Sequence, residues 1–398
     1  MNPEFDVATW APLPSPANPP AASQGALDAL LAWAASSGAR FEPIEIRVAA
    51  DGNRSVYARR TIAAGEPLVL LPRQLMITDG DIAASPVGAA VRRFDGMLHT
   101  RHSSIGVWLA HQRRDRSSPW AAYLDALPAA FPWLPIYRGG SELAALAGTR
   151  ALDVIVAQRV GFDDDLGLLG EMVEELADLP LAEFAWGRCV ATSRCFRVTG
   201  DPGSVRALVP IVDMFDHGTD DASWGYVAAA RRFEVRAARA LAAGQEIRIR
   251  FGSHENARWL SGHGFAIEAN PEDEAALRFA APADPESLPV GTTYDRRFQR
   301  AMSFARLRAD PVADPAGFAE IASAARAAQA LIDAAPALAP ETEPRWRHTC
   351  EVVCAGERAI LDDIVAFASA ADVISARSHG TERLRRTYLA ATTASSSR

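Results

Sequence analysis

The chain contains no lysine. All 41 of its Lys+Arg positions are arginine, which excludes a Schiff-base lysine, a phosphate-loop lysine and a lysine general base. A GC-rich genome, writing arginine and alanine codons, would produce this; avoidance of lysine modification is the other reading. Cysteine is scarce, with 4 in 398 residues, too few for a disulfide scaffold. Cys350 and Cys354 lie four apart on one face of an expected helix, and Cys189 and Cys195 six apart. Neither spacing is that of a zinc knuckle, so buried thiols in a reducing compartment are expected. There is no run of about 18 apolar residues, so no membrane span is expected. The first residues lack a basic stretch followed by an apolar one, so no signal peptide is expected either. Positive charge is not in excess: the formal net charge is −8, against broad nucleic-acid binding. The pairs Arg231-Arg232, Arg296-Arg297 and Arg385-Arg386 read as solvated surface. The expectation is a cytoplasmic protein with neither a membrane nor a nucleic acid as partner. Its oligomeric state is open.

What is present is ordinary globular material, 49% hydrophobic and 23% charged, with length for two or three domains. Residues 1–25 are rich in proline and alanine and read as a disordered or loosely attached lead-in. Helical periodicity predicts a short helix over Leu27–Ser37. Residues 43–78 predict a β-meander: alternation at Ile44–Val48, extended Ser55–Ala58, and apolar Pro67–Leu71, separated by turns at Asp51-Gly52-Asn53 and Ala64-Gly65-Glu66. Residues 80–185 predict helices over Gly88–Gln112, Ser141–Ala147 and Thr149–Ala177, with a Pro- and Trp-rich connection from Trp120 to Trp133. Short strands and turns return over 186–270, a boundary falls in the proline-rich stretch 271–290, and Tyr294–Leu389 is helical again. Each β segment is too small to hold a core alone, so the two must pack together across the insertion.

The informative run is Ala207–Ala266. It offers an apolar strand Leu208–Val212, then Asp213-Met214-Phe215-Asp216-His217, a turn through Gly244 and Glu246, a strand Ile247–Gly252, and Asn256 leading to Gly264-Phe265. This pattern resembles SET-domain protein methyltransferases of the Rubisco large-subunit methyltransferase type, as a divergent bacterial member. The family pattern is V-P-x-x-D-x-x-N-H, then G-E with an alternating strand ending in Tyr, then N-x-x-L-x-x-Y-G-F. Arg54–Pro72, the motif of Ser118, Trp120, Tyr123, Leu127 and Pro128, the motif of Phe184, Trp186, Ser193, Arg194 and Phe196, and Gly356-Glu357-Arg358 also resemble family segments. The resemblance covers roughly residues 27–370.

The resemblance implies an α+β fold: a SET-domain β-fold of short strands over residues 26–280, split by a helical insertion at about 80–185, then a helical substrate-binding-like domain over 290–398. It implies transfer of a methyl group from S-adenosylmethionine (AdoMet) to a side-chain nitrogen of a protein substrate, with lysine the first candidate. Asn53, Ser55, Val56, Arg194, Asp216, His217 and Phe265 would surround the cofactor. Tyr57, Trp224 and Tyr226 would line a substrate channel, unless they are simply core. No metal is implied, although Asp213, Asp216, His217, His254 and His263 could be read as a cluster. His99, His102, His111 and His379 read as surface or core, and Trp120 and Trp133 as packing anchors. A sulfonium methyl is already electrophilic, so the enzyme's task is to align a neutral nitrogen with it and exclude water.

Three departures fall on working positions. The family's G-x-G is Asn53-Arg54-Ser55, where Asn tolerates left-handed backbone better than most residues. The family's N-H is Asp216-His217, and an ionised carboxylate only accepts. The two family tyrosines are Phe251, which keeps a ring without its hydroxyl at the transfer point, and His263, which can donate, accept or titrate. Two further readings stay open: a SET-fold protein without catalysis that binds a partner, and a SET-fold enzyme with a non-protein substrate.

Overall fold

In the computed structural model, residues 7–16, 23–49, 53–200, 203–279, 286–291 and 316–375 are described. They divide into two compact units. The first comprises Leu13–Phe131 and Val160–Gly252, the second Met1–Pro12, Pro132–Arg159 and Ser253–Arg398.

The first unit is built on nine strands: β1 (Ile44–Val48), β2 (Arg54–Ala58), β3 (Pro67–Pro72), β4 (Ile77–Thr78), β5 (Cys195–Gly200), β6 (Gly203–Leu208), β7 (Asp216–Val227), β8 (Arg232–Ala237) and β9 (Arg248–Ile249). They form a β1–β2 hairpin, a sheet of order β3-β8-β7-β9 and a sheet of order β4-β6-β5. All pairings are antiparallel except β7 with β9. The expected meander is not formed, because only β1 and β2 pair locally. The apolar strand β3 instead takes β8 as its partner, with Leu71 opposite Phe233 and Val69 opposite Val235. All four side chains are buried, and that burial outweighs the sequence proximity of β2. The two β segments do pack across the insertion: Ile247 donates to Val56 and Ala58 to Gln245, at 2.7 and 2.9 Å.

Several boundaries differ from the sequence expectation. The helix expected over Gly88–Gln112 is two, Pro86–Arg92 and His102–Arg114. The first starts where Ser85 caps Gly88 and Pro86 takes the first turn, and the chain then turns through Phe94 and Asp95. The last helix of the insertion runs over Leu181–Arg194, past the expected end at 185, with Phe184, Trp186, Cys189 and Val190 buried along it. Leu208–Val212 is not a continuous strand: β6 ends at Leu208, and Pro210, which cannot donate to a ladder, leads into Ile211 at φ +70° and a turn of 3₁₀-helix, Val212–Met214.

The second unit carries the helices Gly140–Leu143, Asn256–His263, Ala316–Asp333 and Pro344–Ser375. The helix Arg150–Met172 starts in it. The stretch read as a boundary holds a hairpin instead, β10 (Glu274–Phe279) against β11 (Glu286–Gly291), with Pro289 opposite Ala276. The disordered lead-in fails for residues 7–16. Val7–Thr9 is a 3₁₀ turn, Val7 and Leu13 are buried, and Gly140 donates to Trp10 at 2.9 Å. Of the helices expected over Tyr294–Leu389, residues 292–315 and 376–389 lie outside the described residues, as does the tail 390–398.

Two buried carboxyls in the second unit predict its pH response. Glu357 accepts from the backbone N–H groups of Arg150 and Ala151 at 2.6 and 3.0 Å, yet burial pushes it up to about 8. Asp273 accepts from Asn256, and burial raises it to about 6. Both hold a proton more tightly folded than unfolded, so their contribution to stability is present at low pH and is lost as pH rises through these values. The urea midpoint is expected to fall between pH 5.5 and 8.5 for the wild type. The double variant Asp273→Asn, Glu357→Gln should flatten the profile; an unchanged slope in that variant would assign the dependence elsewhere.

Candidate active site

In the first unit, strand β2 and the turn after β6 bring a group of charged side chains together. Tyr123 donates to Asp213 Oδ2 at 2.7 Å. Arg194, at the end of its helix, donates to the Asp213 carbonyl at 2.6 Å and lies 3.7 Å from Oδ2. The Asp213 side chain is 0% exposed. Ser55 donates to Asp216 Oδ2 at 2.7 Å. Burial raises both carboxyls, with Arg194 and their hydroxyl donors opposing it. Burial also holds the Tyr123 hydroxyl well above its usual range. Arg54 is only 5% exposed, and burial, reinforced by Arg194, lowers it to about 10. Ile211, a β-branched residue at positive φ, sets the turn that presents Asp213. Such backbone is uncommon and concentrates at functional sites.

His217 follows directly. Its Nδ1 accepts from the Phe251 backbone N–H at 3.2 Å, so in the neutral ring the proton sits on Nε2. The His217 and Phe251 rings lie 5.4 Å apart. Val56 is fully buried. Ser55, at the second glycine position of the family pattern, lies within strand β2, and among the described residues the non-glycine positive-φ positions are Ile211, Arg231 and Ala269.

The three aromatic candidates have defined surroundings. The Arg47 guanidinium lies 4.1 Å above the Tyr57 ring, and Tyr57 bridges to Glu246. Trp224 stacks on Phe233 at 5.7 Å, meets Phe196 edge-on at 5.0 Å, and donates to the Arg250 carbonyl at 3.0 Å. Tyr226 is half-buried opposite Phe233. His263 and Phe265 belong to the second unit. There Phe265 stacks on Trp259 at 5.3 Å, and His263 lies 5.4 Å from the same indole. Gly264 between them sits at φ +78°, and a Cβ there would meet Trp133 at 2.6 Å; only glycine meets both conditions.

Three residues of the charged group escaped the sequence reading. Tyr123 had a signal as the tyrosine of the Ser118–Pro128 motif. Asp213 had a signal as the aspartate of the V-P-x-x-D pattern and as a possible metal ligand, without a cofactor role, and the Arg54 side chain had no signal. Among the described residues no group of three or more His, Cys, Asp or Glu is placed to hold a metal. No described helix is long and apolar enough to cross a membrane.

The architecture is that of a SET domain. The SET domain of LSMT bound to methyllysine and AdoHcy superposes with a TM-score of 0.71 at 16% identity, covering 90% of this chain and 95% of that one. Rubisco LSMT bound to AdoMet gives 0.67 at 17%, covering 92% and 96%. Among characterised proteins, the actin-histidine N-methyltransferase of Danio rerio is 25% identical over 260 residues, 63% of this chain and 44% of that protein. The Gallus gallus counterpart is 24% identical over the same length. The chain thus matches less than half the length of these relatives. No family model matches it.

Proposed function

We propose that the chain transfers a methyl group from AdoMet to a side-chain nitrogen of a protein, and that the preferred acceptor is a neutral imidazole. The observation that carries the cofactor half is the buried charged group of the SET fold. Arg54 Nε, Arg194 Nε and Asp213 Oδ1 are buried without a hydrogen-bond partner among the described residues. Unpaired buried polar atoms are costly, and a bound ligand with matching groups would satisfy them. Asn53, Ser55, Val56, Arg194, Asp216 and His217, all in the first unit, are the residues proposed to surround it. AdoMet supplies an electrophilic methyl on a sulfonium.

The acceptor half rests on Phe251. Lysine titrates near 10.4 and arrives as an ammonium, whereas histidine titrates near 6.5 and is already neutral at pH 7.5. A site that lacks a hydroxyl at Phe251 has less with which to orient an amine, and loses little with an imidazole. The actin-histidine enzymes among the relatives favour the same acceptor. Lysine is the second reading, favoured by the LSMT structures bound to lysine. Within the first unit, Tyr57, Trp224 and Tyr226 are proposed to line the substrate channel.

Calorimetry with AdoHcy tests the first half: a micromolar Kd is expected, and none up to millimolar would leave the non-catalytic reading in front. Tritiated AdoMet with a lysate, followed by mass spectrometry of the labelled residues, tests the second. Label on histidine supports the proposal, label on lysine selects the second reading, and label only in small molecules rejects a protein acceptor.

A further inference from the structure

The pair Arg231-Arg232 reads in the sequence as solvated surface, yet the structure gives it a third arginine and a cavity. Arg40, Leu70, Pro72, Arg231 and Arg232 line a cavity of about 280 Å³ in the first unit. Backbone pairing sets this convergence. Arg40 and Leu70 exchange two hydrogen bonds, at 2.9 and 2.8 Å. Pro72 stands opposite Arg232 on β8, and Arg73 donates to the Arg231 carbonyl at 3.0 Å. The charges there are not balanced. Glu234 accepts from Arg232 Nε through Oε1 and from Arg236 Nε through Oε2, each at 2.7 Å, so both its oxygens are engaged. Among the described residues the side chains of Arg40 and Arg231 make no hydrogen bond or ion pair. Two uncompensated cations thus stand at one cavity, in a chain whose net charge is −8. Arg231 also holds left-handed backbone, at φ +47° and ψ +48°, as the cap of the 3₁₀ turn Ala228–Ala230. Glycine or asparagine adopts that conformation at less cost. Arg231 is exposed, so core packing does not account for an arginine there, whereas a ligand for its guanidinium does.

We propose that Arg40, Arg231 and Arg232 form a binding site for the phosphoryl group of a small phosphomonoester. Arginine forks match oxyanions bidentately and with charge assistance. Two unpaired cations match a dianion, whereas a single carboxylate leaves one of them unmet. The cavity is at the small end of the range for ligand sites, and Leu70 and Pro72 give it an apolar wall for a short organic stem. It lies past the Val227 end of β7, while Asp216 stands at the other end of that strand. The site is independent of the AdoMet reading.

The test is calorimetry on the full chain with phenyl phosphate and benzoate. Phenyl phosphate is expected to bind one to one with a Kd below about 1 mM, and benzoate at least about tenfold more weakly. Affinity for phenyl phosphate should rise about tenfold from pH 5 to 7.5, as the monoester gains its second charge near pH 6. Arg40→Gln and Arg231→Gly should each weaken phenyl phosphate by about tenfold or more. Arg231→Gly should at the same time raise the urea midpoint, because glycine accepts the left-handed backbone. Arg60→Gln removes an arginine already paired with Glu66 and should change the affinity by less than about twofold. No binding of phenyl phosphate up to about 10 mM overturns the proposal, as does binding that Arg40→Gln and Arg231→Gly leave intact. An equal loss from Arg60→Gln overturns it too, by reducing the effect to general attraction of anions. The wild type alone also decides: equal affinity for benzoate removes the dianion. Displacement of phenyl phosphate by an unphosphorylated acidic peptide of matching affinity would replace the small ligand with a protein surface.

Discussion

Placing a hydroxyl at position 251 with Phe251→Tyr is expected to raise turnover on a lysine acceptor by about 10²–10³-fold, the usual worth of one preorganised polar group. On a histidine acceptor the same change should alter the rate by less than about threefold, because an imidazole needs neither neutralising nor holding in the same way. The structure makes the substitution a local one. Phe251 is half-buried, its backbone is held by His217 Nδ1, and its ring already lies beside the His217 ring. Single-turnover rates with matched lysine and histidine peptides give the ratio directly. Equal gains on both acceptors would remove the imidazole preference, and no gain on either would mean that position 251 does not face the acceptor.

The second large effect concerns stability. Gly187→Ala is expected to lower stability by about 3 kcal/mol, the upper end of ordinary overpacking. For a unit of about 200 residues, the size of the first, that corresponds to a fall in its Tm of roughly 6–12 °C. The helices His102–Arg114 and Leu181–Arg194 cross at a glycine pair so tightly that a Cβ on Gly187 would stand 2.1 Å from the Gly106 carbonyl oxygen. A Cβ on Gly106 would stand 2.7 Å from Arg188 N. Neither obstacle is a flexible side chain, so relief requires the helices to separate. Separation would also disturb the buried Arg188–Asp165 pair at 3.3 Å. Gly167→Ala is the control. It lies in the helix Arg150–Met172 with open space at its Cβ position, and should be neutral or stabilising by about 0.5–1 kcal/mol. Comparable losses from both would point to glycine's backbone freedom instead of helix contact.

The α+β fold was legible because its signals are local in kind even where its contacts are not. Alternation at Ile44–Val48 and the helical period of the insertion each survive translation into structure. Pairing was less legible. Nothing in β3 names β8 as its partner, since an apolar run says only that it will be buried. The break between Arg92 and His102 was missed although Asp95-Gly96 lies in it, a dipeptide that marks turns. Of the charged group, Arg194 and Asp216 were found through motif positions. Arg54 was invisible, because an arginine in an arginine-rich chain reads as surface, and only burial shows otherwise.

The pairing of β3 with β8 also has a consequence for how the chain is made. Residues 67–72 leave the ribosome about 160 residues ahead of residues 232–237, a delay of roughly 8–30 s at usual synthesis rates. For that interval Leu68, Val69, Leu70 and Leu71 have no completed sheet to join, while the helical segments between them can close on local contacts. Birth order therefore favours a nascent chain whose insertion folds first and whose earliest apolar strand waits as a chaperone client.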